Sequence, residues 1–253
     1  MLTPHLIRSR STALIFAGAF LIITAGLLLS GSAGAAPESS TGEETQLLYN
    51  PPKTLIPRAR VGGEMRGTDG VDPEVQALVP DHVGLTTHKA PSLNWFLSKP
   101  TKYEVRFTLV DNRSIRPLHE SLIPTPKEAG VHSIHLKDLG ITLEPDVQYR
   151  WYISVIRNHD SFAQDIVAGG VIERCELSDC VVVAGAHLTC DLEGITENAK
   201  NGLWYDAMGC LCNMIEANPK DANLRRMRAQ LLKQVGLNGV AEWDLLSIAA
   251  AAH

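Results

Sequence analysis

The amino-acid sequence predicts an antiparallel, immunoglobulin-like β-sandwich followed by a small α-helical C-terminal unit. Three observations carry this prediction. Apolar and polar residues alternate through the middle of the chain, turn residues interrupt the alternation at short spacing, and after about Glu176 the apolar spacing changes from two to three and four. Tyr103, Val105, Phe107 and Leu109 alternate with Glu104, Arg106 and Thr108, which makes a strand with one apolar and one solvated face. Asp111-Asn112 then supplies the turn. Val147, Tyr149, Trp151, Ile153 and Val155 form a second such face, with Trp151-Tyr152 at the centre of the expected core. Shorter strands are expected at 93–97, 115–123, 131–136 and 165–173, separated by turn clusters such as Pro124-Thr125-Pro126. Many short strands with no helical pattern between them specify a sandwich rather than a parallel sheet.

The helical part reads as segments at 192–201, 204–217 and 221–235, each with apolar residues at three- and four-residue spacing. Gly202 separates the first two, and Asn218-Pro219 ends the second. Asp221 is placed to accept from the open N–H groups of the third, and Gly236 sits where a left-handed C-terminal cap belongs. The stretch 175–190 is open between strand, which Val181-Val182-Val183 favours, and helix, which its neighbours suit; helix is preferred. Gly202, Trp204, Ala207, Leu211, Met214 and Pro219 fall at the offsets of the turn and second helix of a tetratricopeptide repeat. The preceding helix matches poorly, with Ile195 where a small residue is expected, so the unit reads either as one degenerate repeat or as a generic helical hairpin.

At the N-terminus, a short positive stretch to Arg10, an apolar run at 12–29 and the small residues Ser32-Ala33-Gly34-Ala35 make a secretory signal, with cleavage expected near Ala35. The rival is an uncleaved anchor, in which case the chain would meet a membrane through this segment alone. Both readings place the remainder outside the cytoplasm. Residues 36–72 are rich in Pro, Gly, Ser and Glu and read as a disordered linker, in which the basic run from Arg58 to Gly63 is a solvated tail. The sandwich then occupies 73–175, the helical unit 176–247 and a tail 248–253. Residues 1–35 carry Arg8 and Arg10 and no acid, so their removal takes the formal charge from −5 to −7. That balance argues against nucleic acid as a partner, because polyanions need a cationic face.

No GxSxG, HExxH, phosphate-binding loop or dinucleotide fingerprint occurs, so no catalytic residue, metal ligand or cofactor is assigned and an enzyme is not expected. His132 and His135 fail as a metal pair, since residues three apart on a strand point to opposite faces. The five cysteines lie in the last third. In an oxidising compartment Cys175 with Cys180 or Cys190 are the disulfide candidates, while most of the five are read as small buried hydrophobes. Cys210 and Cys212, about 200° apart on a helix, cannot chelate together. Trp95, Phe96, Trp151, Tyr152, Trp204 and Tyr205 are the candidate core or interaction aromatics.

Three stretches together resemble a bacterial family, domain of unknown function 928. They are Ala77-Leu78-Val79-Pro80 leading to Gly84-Leu85-Thr86 and to Pro91-Ser92-Leu93-Asn94-Trp95-Phe96; Tyr149-Arg150-Trp151-Tyr152 followed by Gly170-Val171-Ile172-Glu173-Arg174; and Gly202-Leu203-Trp204-Tyr205-Asp206-Ala207 ending in Val235-Gly236-Leu237. The sequence departs from that pattern between Cys175 and Cys190 and in its Ala-rich end from Ile248. The resemblance implies an exported bacterial protein and brings no activity or catalytic residue with it. The expected function is therefore a non-catalytic interaction or accessory protein of the cell envelope, with another envelope protein as partner. A carbohydrate-binding sandwich is the alternative, which an exposed aromatic platform would favour.

Overall fold

The computed structural model describes residues 47–52, 59–62, 72–114, 116–176 and 189–251. The expected signal segment, Cys180 and the run Val181-Val182-Val183 lie outside them. Eight strands come first: β1 (Val75–Ala77), β2 (Gly84–Thr86), β3 (Ser92–Leu97), β4 (Glu104–Asp111), β5 (His119–Ile123), β6 (Gly130–His135), β7 (Gln148–Ile156) and β8 (Ile166–Arg174). Four helices follow: α1 (Leu192–Lys200), α2 (Trp204–Ala217), α3 (Ala222–Gln234) and α4 (Asn238–Ala251). The strands form a three-stranded sheet in the order β1-β3-β6 and a five-stranded sheet in the order β2-β8-β7-β4-β5. All pairs are antiparallel except β2 with β8, which run parallel at one edge of the larger sheet.

The alternation read from the sequence is the alternation observed. Val105, Phe107 and Leu109 on β4 and Tyr149, Trp151, Ile153 and Val155 on β7 are all buried, and Trp151 sits directly opposite Leu109. Apolar side chains from both sheets and all four helices join a single core. β1 and β2 escape the sequence pattern because three residues are too few for a period to show. Ile115 lies outside the described residues, and β5 begins only at His119.

The disordered linker expected over 36–72 is overturned for its described residues. Leu47, Tyr49 and Ala59 are buried. The Tyr49 N–H donates to Gln234 Oε1 at 2.8 Å, and Gln234 Nε2 donates to the Leu47 carbonyl at 2.8 Å, which stitches this arm to α3. Arg60, expected in a solvated tail, donates through one guanidinium nitrogen to the carbonyls of Val79 at 3.1 Å and Val235 at 3.0 Å. Val61 and Gly169 exchange both main-chain hydrogen bonds at 2.9 Å, adding the arm to β8. Composition missed this because two or three apolar residues suffice when a preformed surface receives them.

The helix boundaries follow the capping chemistry. The Asp191 carboxylate accepts from Gly194 N–H at the start of α1, and Asp221 accepts from the N–H groups of Asn223 and Leu224 at the start of α3. Gly202 turns the chain between α1 and α2 at φ +77°, where a Cβ would lie 2.8 Å from the Asn50 carbonyl oxygen. Gly236 closes α3 at φ +75°: its N–H donates to Lys233 O, and the Leu237 N–H reaches back to Leu232 O. That is the Schellman arrangement, completed by burial of Leu232 and Leu237. The tail expected at 248–253 is instead helical as far as Ala251, because Ala is the strongest helix former and α4 simply runs on. Asp221→Ala should lower unfolding stability by about 1 kcal/mol, read as a shifted urea midpoint at unchanged slope.

Candidate functional site

The helical unit is fixed to the sheets by three consecutive residues at the start of α2. Trp204 is fully buried and donates its Nε1 to the Leu78 carbonyl at 2.8 Å. The Tyr205 hydroxyl accepts from Trp151 Nε1 at 2.8 Å and donates to the Val171 carbonyl at 3.2 Å, and burial pushes its pKa up, which keeps it neutral. Asp206 accepts from the Thr86 hydroxyl, from the Thr87 N–H at 2.9 Å and from the Thr87 hydroxyl at 2.7 Å. Its buried carboxylate thereby holds the chain leaving β2. Gly84 is required where β2 meets α2, since a Cβ there would lie 2.6 Å from the Tyr205 ring.

With α2 so placed, a cleft of about 970 Å³ opens between the smaller sheet and the helices. Strand β6 and the loop before it form one wall; the end of α2, the start of α3 and Trp243 of α4 form the other. That volume is in the range of ligand-binding clefts. Trp95 lines it and meets His132 at a tilt, 5.1 Å between ring centroids, while its buried indole Nε1 has no acceptor among the described residues. Phe96 packs edge-on against Trp243 at 5.5 Å. His132 Nε2 lies 3.2 Å from the Glu128 carbonyl, and burial lowers its pKa.

On the helical wall Arg228 and Asp244 form a buried bidentate pair, with Nε to Oδ2 at 2.8 Å and a terminal nitrogen to Oδ1 at 2.6 Å. The other terminal nitrogen reaches the Cys212 sulfur at 3.5 Å. Burial opposes the charge on Arg228, but Asp244 and the Cys212 sulfur overcome it and keep the guanidinium firmly charged. Burial pushes the Cys212 thiol up, against the pull of Arg228. Arg225 adds a longer contact to Asp244 at 3.4 Å and spends its remaining donors on the Pro219 carbonyl. Glu128, Asp138 and Glu216 stand exposed around the cleft and form no ion pair among the described residues.

Of the six aromatics singled out in the sequence, Trp95, Phe96, Trp151, Trp204 and Tyr205 are buried, and only Tyr152 is half-exposed. Trp95 alone lines the cleft, so the aromatics are divided between core and site. Of the disulfide candidates, Cys175 and Cys190 are both disulfide-bonded, and the one correction is that Cys190 does not pair with Cys175. Cys190 pairs with Cys210, at a Cα separation of 5.3 Å, because the α1–α2 hairpin brings the residue ahead of the α1 N-cap against the middle of α2. Cys212 is free. Cys210 meets Cys190 ahead of α1, whereas Cys212 meets Arg228 of α3. Trp243, Arg228 and Asp244 went unnoticed in the sequence; α4 carries two acids, the exposed Glu242 and the buried Asp244, and its spacing alone does not tell them apart.

Arg228→Met should cost about 3–5 kcal/mol by leaving Asp244 buried with only its long contact to Arg225, whereas the double change Arg228→Met with Asp244→Leu should recover most of it, both read by chemical denaturation. Cys212 should react with iodoacetamide at least about ten-fold more slowly in the native chain than in urea, as followed by mass spectrometry.

A family model described as Domain of Unknown Function (DUF928) matches residues 61–245, from the Val61 pairing to the helix α4 residue after Asp244. No curated protein matches the chain.

Proposed function

Because the chain belongs to the DUF928 family, whose description assigns no activity, we propose from the cleft itself that it is an exported, non-catalytic interaction protein of the bacterial cell envelope. The observation that carries this reading is the cleft of about 970 Å³ between β6 and the helices, with Trp95 and Trp243 in its walls and, at its rim, carboxylates without an ion pair among the described residues. Apolar and aromatic walls with a polar rim are what a protein partner recognises. In finer terms we read the two sheets as an immunoglobulin-like sandwich and the α1–α2 pair as a tetratricopeptide-like hairpin, the latter supported by Gly202 at φ +77° in the repeat spacing. Export is supported by the charged, apolar and small-residue sequence of the first 35 positions, which precede the described residues. No helix among the described residues is long and apolar enough to cross a membrane.

The groups that could do chemistry here are engaged in structure. Arg228 and Asp244 hold each other, and Cys212 is buried with its thiol pKa raised. Ser92 Oγ lies 2.8 Å from His135, but through Nδ1, and no carboxylate bonds the opposite ring nitrogen among the described residues. The arrangement lacks the third group that orients a catalytic base. Trp95 and Trp151, on which a sugar-binding platform would have rested, are inside.

The test places a photo-crosslinking benzoylphenylalanine at position 243, in the cleft, or at position 162, whose Phe is 74% exposed in the turn between β7 and β8, and irradiates each in envelope extract. A discrete protein adduct from 243 and none from 162 is expected. Specific binding on a glycan array, lost in Trp243→Ala and accompanied by no protein adduct, would replace this reading with carbohydrate binding.

A further inference from the structure

The hydrogen bonds of the smaller sheet fix which main-chain groups of β6 look into the cleft. In an antiparallel ladder, residues alternate between exchanging both bonds with one neighbour and facing the other way. The Leu78 N–H donates to the Asn94 carbonyl at 2.9 Å, and the Ser98 N–H donates to the Glu74 carbonyl at 3.0 Å. Asn94, Phe96 and Ser98 therefore turn their main chain toward β1. Leu93, Trp95 and Leu97 turn theirs toward β6, where the register sets Ile134, His132 and Gly130 opposite them. The Leu136 N–H continues the same parity to the Pro91 carbonyl at 3.2 Å. Val131, Ser133 and His135 consequently direct their main-chain groups away from β3, and among the described residues no strand lies beyond β6 in the sheet order. Of these groups the His135 carbonyl is taken by the Asp138 N–H at 3.0 Å.

An open strand edge is a template for another extended chain. Here the edge is not on an outer surface but along the cleft, since every residue of β6 lines it. The electrostatics select the occupant. Glu128 and Asp138 flank the two ends of the strand, and Glu216 faces from α2, all exposed and without ion pairs among the described residues. The two cations of the cleft, Arg225 and Arg228, have turned their donors onto Asp244, Pro219 and Cys212.

Resting on the interaction reading above, we propose that the cleft takes an extended polypeptide segment of about five residues as an added strand on β6, with Lys or Arg side chains answering the carboxylates. The main-chain groups of Val131, Ser133 and the His135 N–H supply register, and Trp243, which packs on Phe96 on the helix-facing side of the sheet, bounds the side chains that alternate with the basic ones. Selectivity lies in charge and alternation rather than in a fixed residue at each position.

The edge permits a clean variant. Proline at 133 removes an outward N–H while leaving the β3–β6 ladder intact, and an outward position on an edge strand is among the few places in a sheet where proline is tolerated. Ser133→Ala controls for the side-chain bond from Ser133 Oγ to Asn94 Oδ1 at 2.9 Å. The full chain is panned against a random nonapeptide display library, and the selected peptides are synthesised and titrated with amide hydrogen exchange as readout. Peptides with Lys or Arg at alternate positions are expected. Binding should slow exchange at Val131, Ser133 and His135 by about ten-fold or more and leave Ile134, already in the ladder, unchanged. Ser133→Pro should weaken binding by about ten-fold or more with circular dichroism unaltered, and Ser133→Ala should not. The proposal is overturned if no peptide is selected, if those selected show no cationic preference, or if the protection falls elsewhere. Self-association that protects the same amides without peptide would make a second copy the occupant and overturn it too. A protein adduct at position 243 with unprotected β6 amides would leave the interaction reading standing and remove strand addition alone.

Discussion

The fold depends on a short polar clasp inside an apolar interior. Trp204, Tyr205 and Asp206 are consecutive, and each meets a different part of the sheets: the carbonyl after β1, a β7 tryptophan together with a β8 carbonyl, and the turn leaving β2. Burying a carboxylate, a phenol and an indole N–H costs several kcal/mol unless each finds partners. All three do, so the cost falls on every misplacement of α2 rather than on the native one. Packing alone would tolerate a sliding or rotating helix; these bonds do not, and the gap left between α2 and β6 inherits its shape from them.

The opposite wall works by the same logic with full charges. Asp244 and Arg228 sit on α4 and α3, and their bidentate geometry sets the angle at which those helices meet. A buried pair of this kind contributes less to net stability than to choosing one arrangement among several similar apolar ones. The cost of separating the pair keeps Trp243 in place on the cleft wall, close over Gly130 and against Phe96.

Much of this architecture was legible in the sequence, and what was hidden follows a pattern. The long strands β4 and β7 announced themselves because nine or so residues give several periods of alternation. Asp221, Gly202 and Gly236 were legible because capping and left-handed turns are local chemistry. Residue pairs far apart in the chain were not: Cys190 with Cys210, Arg60 with Val235, Arg228 with Asp244 and the parallel β2–β8 edge each depend on a fold already formed. The cleft was hidden for the same reason. It belongs to no segment, and Trp95 looked like a core residue because by burial it is one.

The arm ahead of the sheets carries a further implication. Its Leu47, Tyr49 and Arg60 all precede the first residue of the family match, yet Leu47 and Tyr49 are buried where they bond Gln230 and Gln234 of α3, Tyr49 packs edge-on to Trp204, and Arg60 satisfies the terminal carbonyl at the end of α3. The physical edge of the folded body therefore lies upstream of the boundary that sequence similarity draws. A chain trimmed to that boundary would begin life with an uncovered apolar strip and an unanswered helix end, and would be expected to clump before it could be assayed.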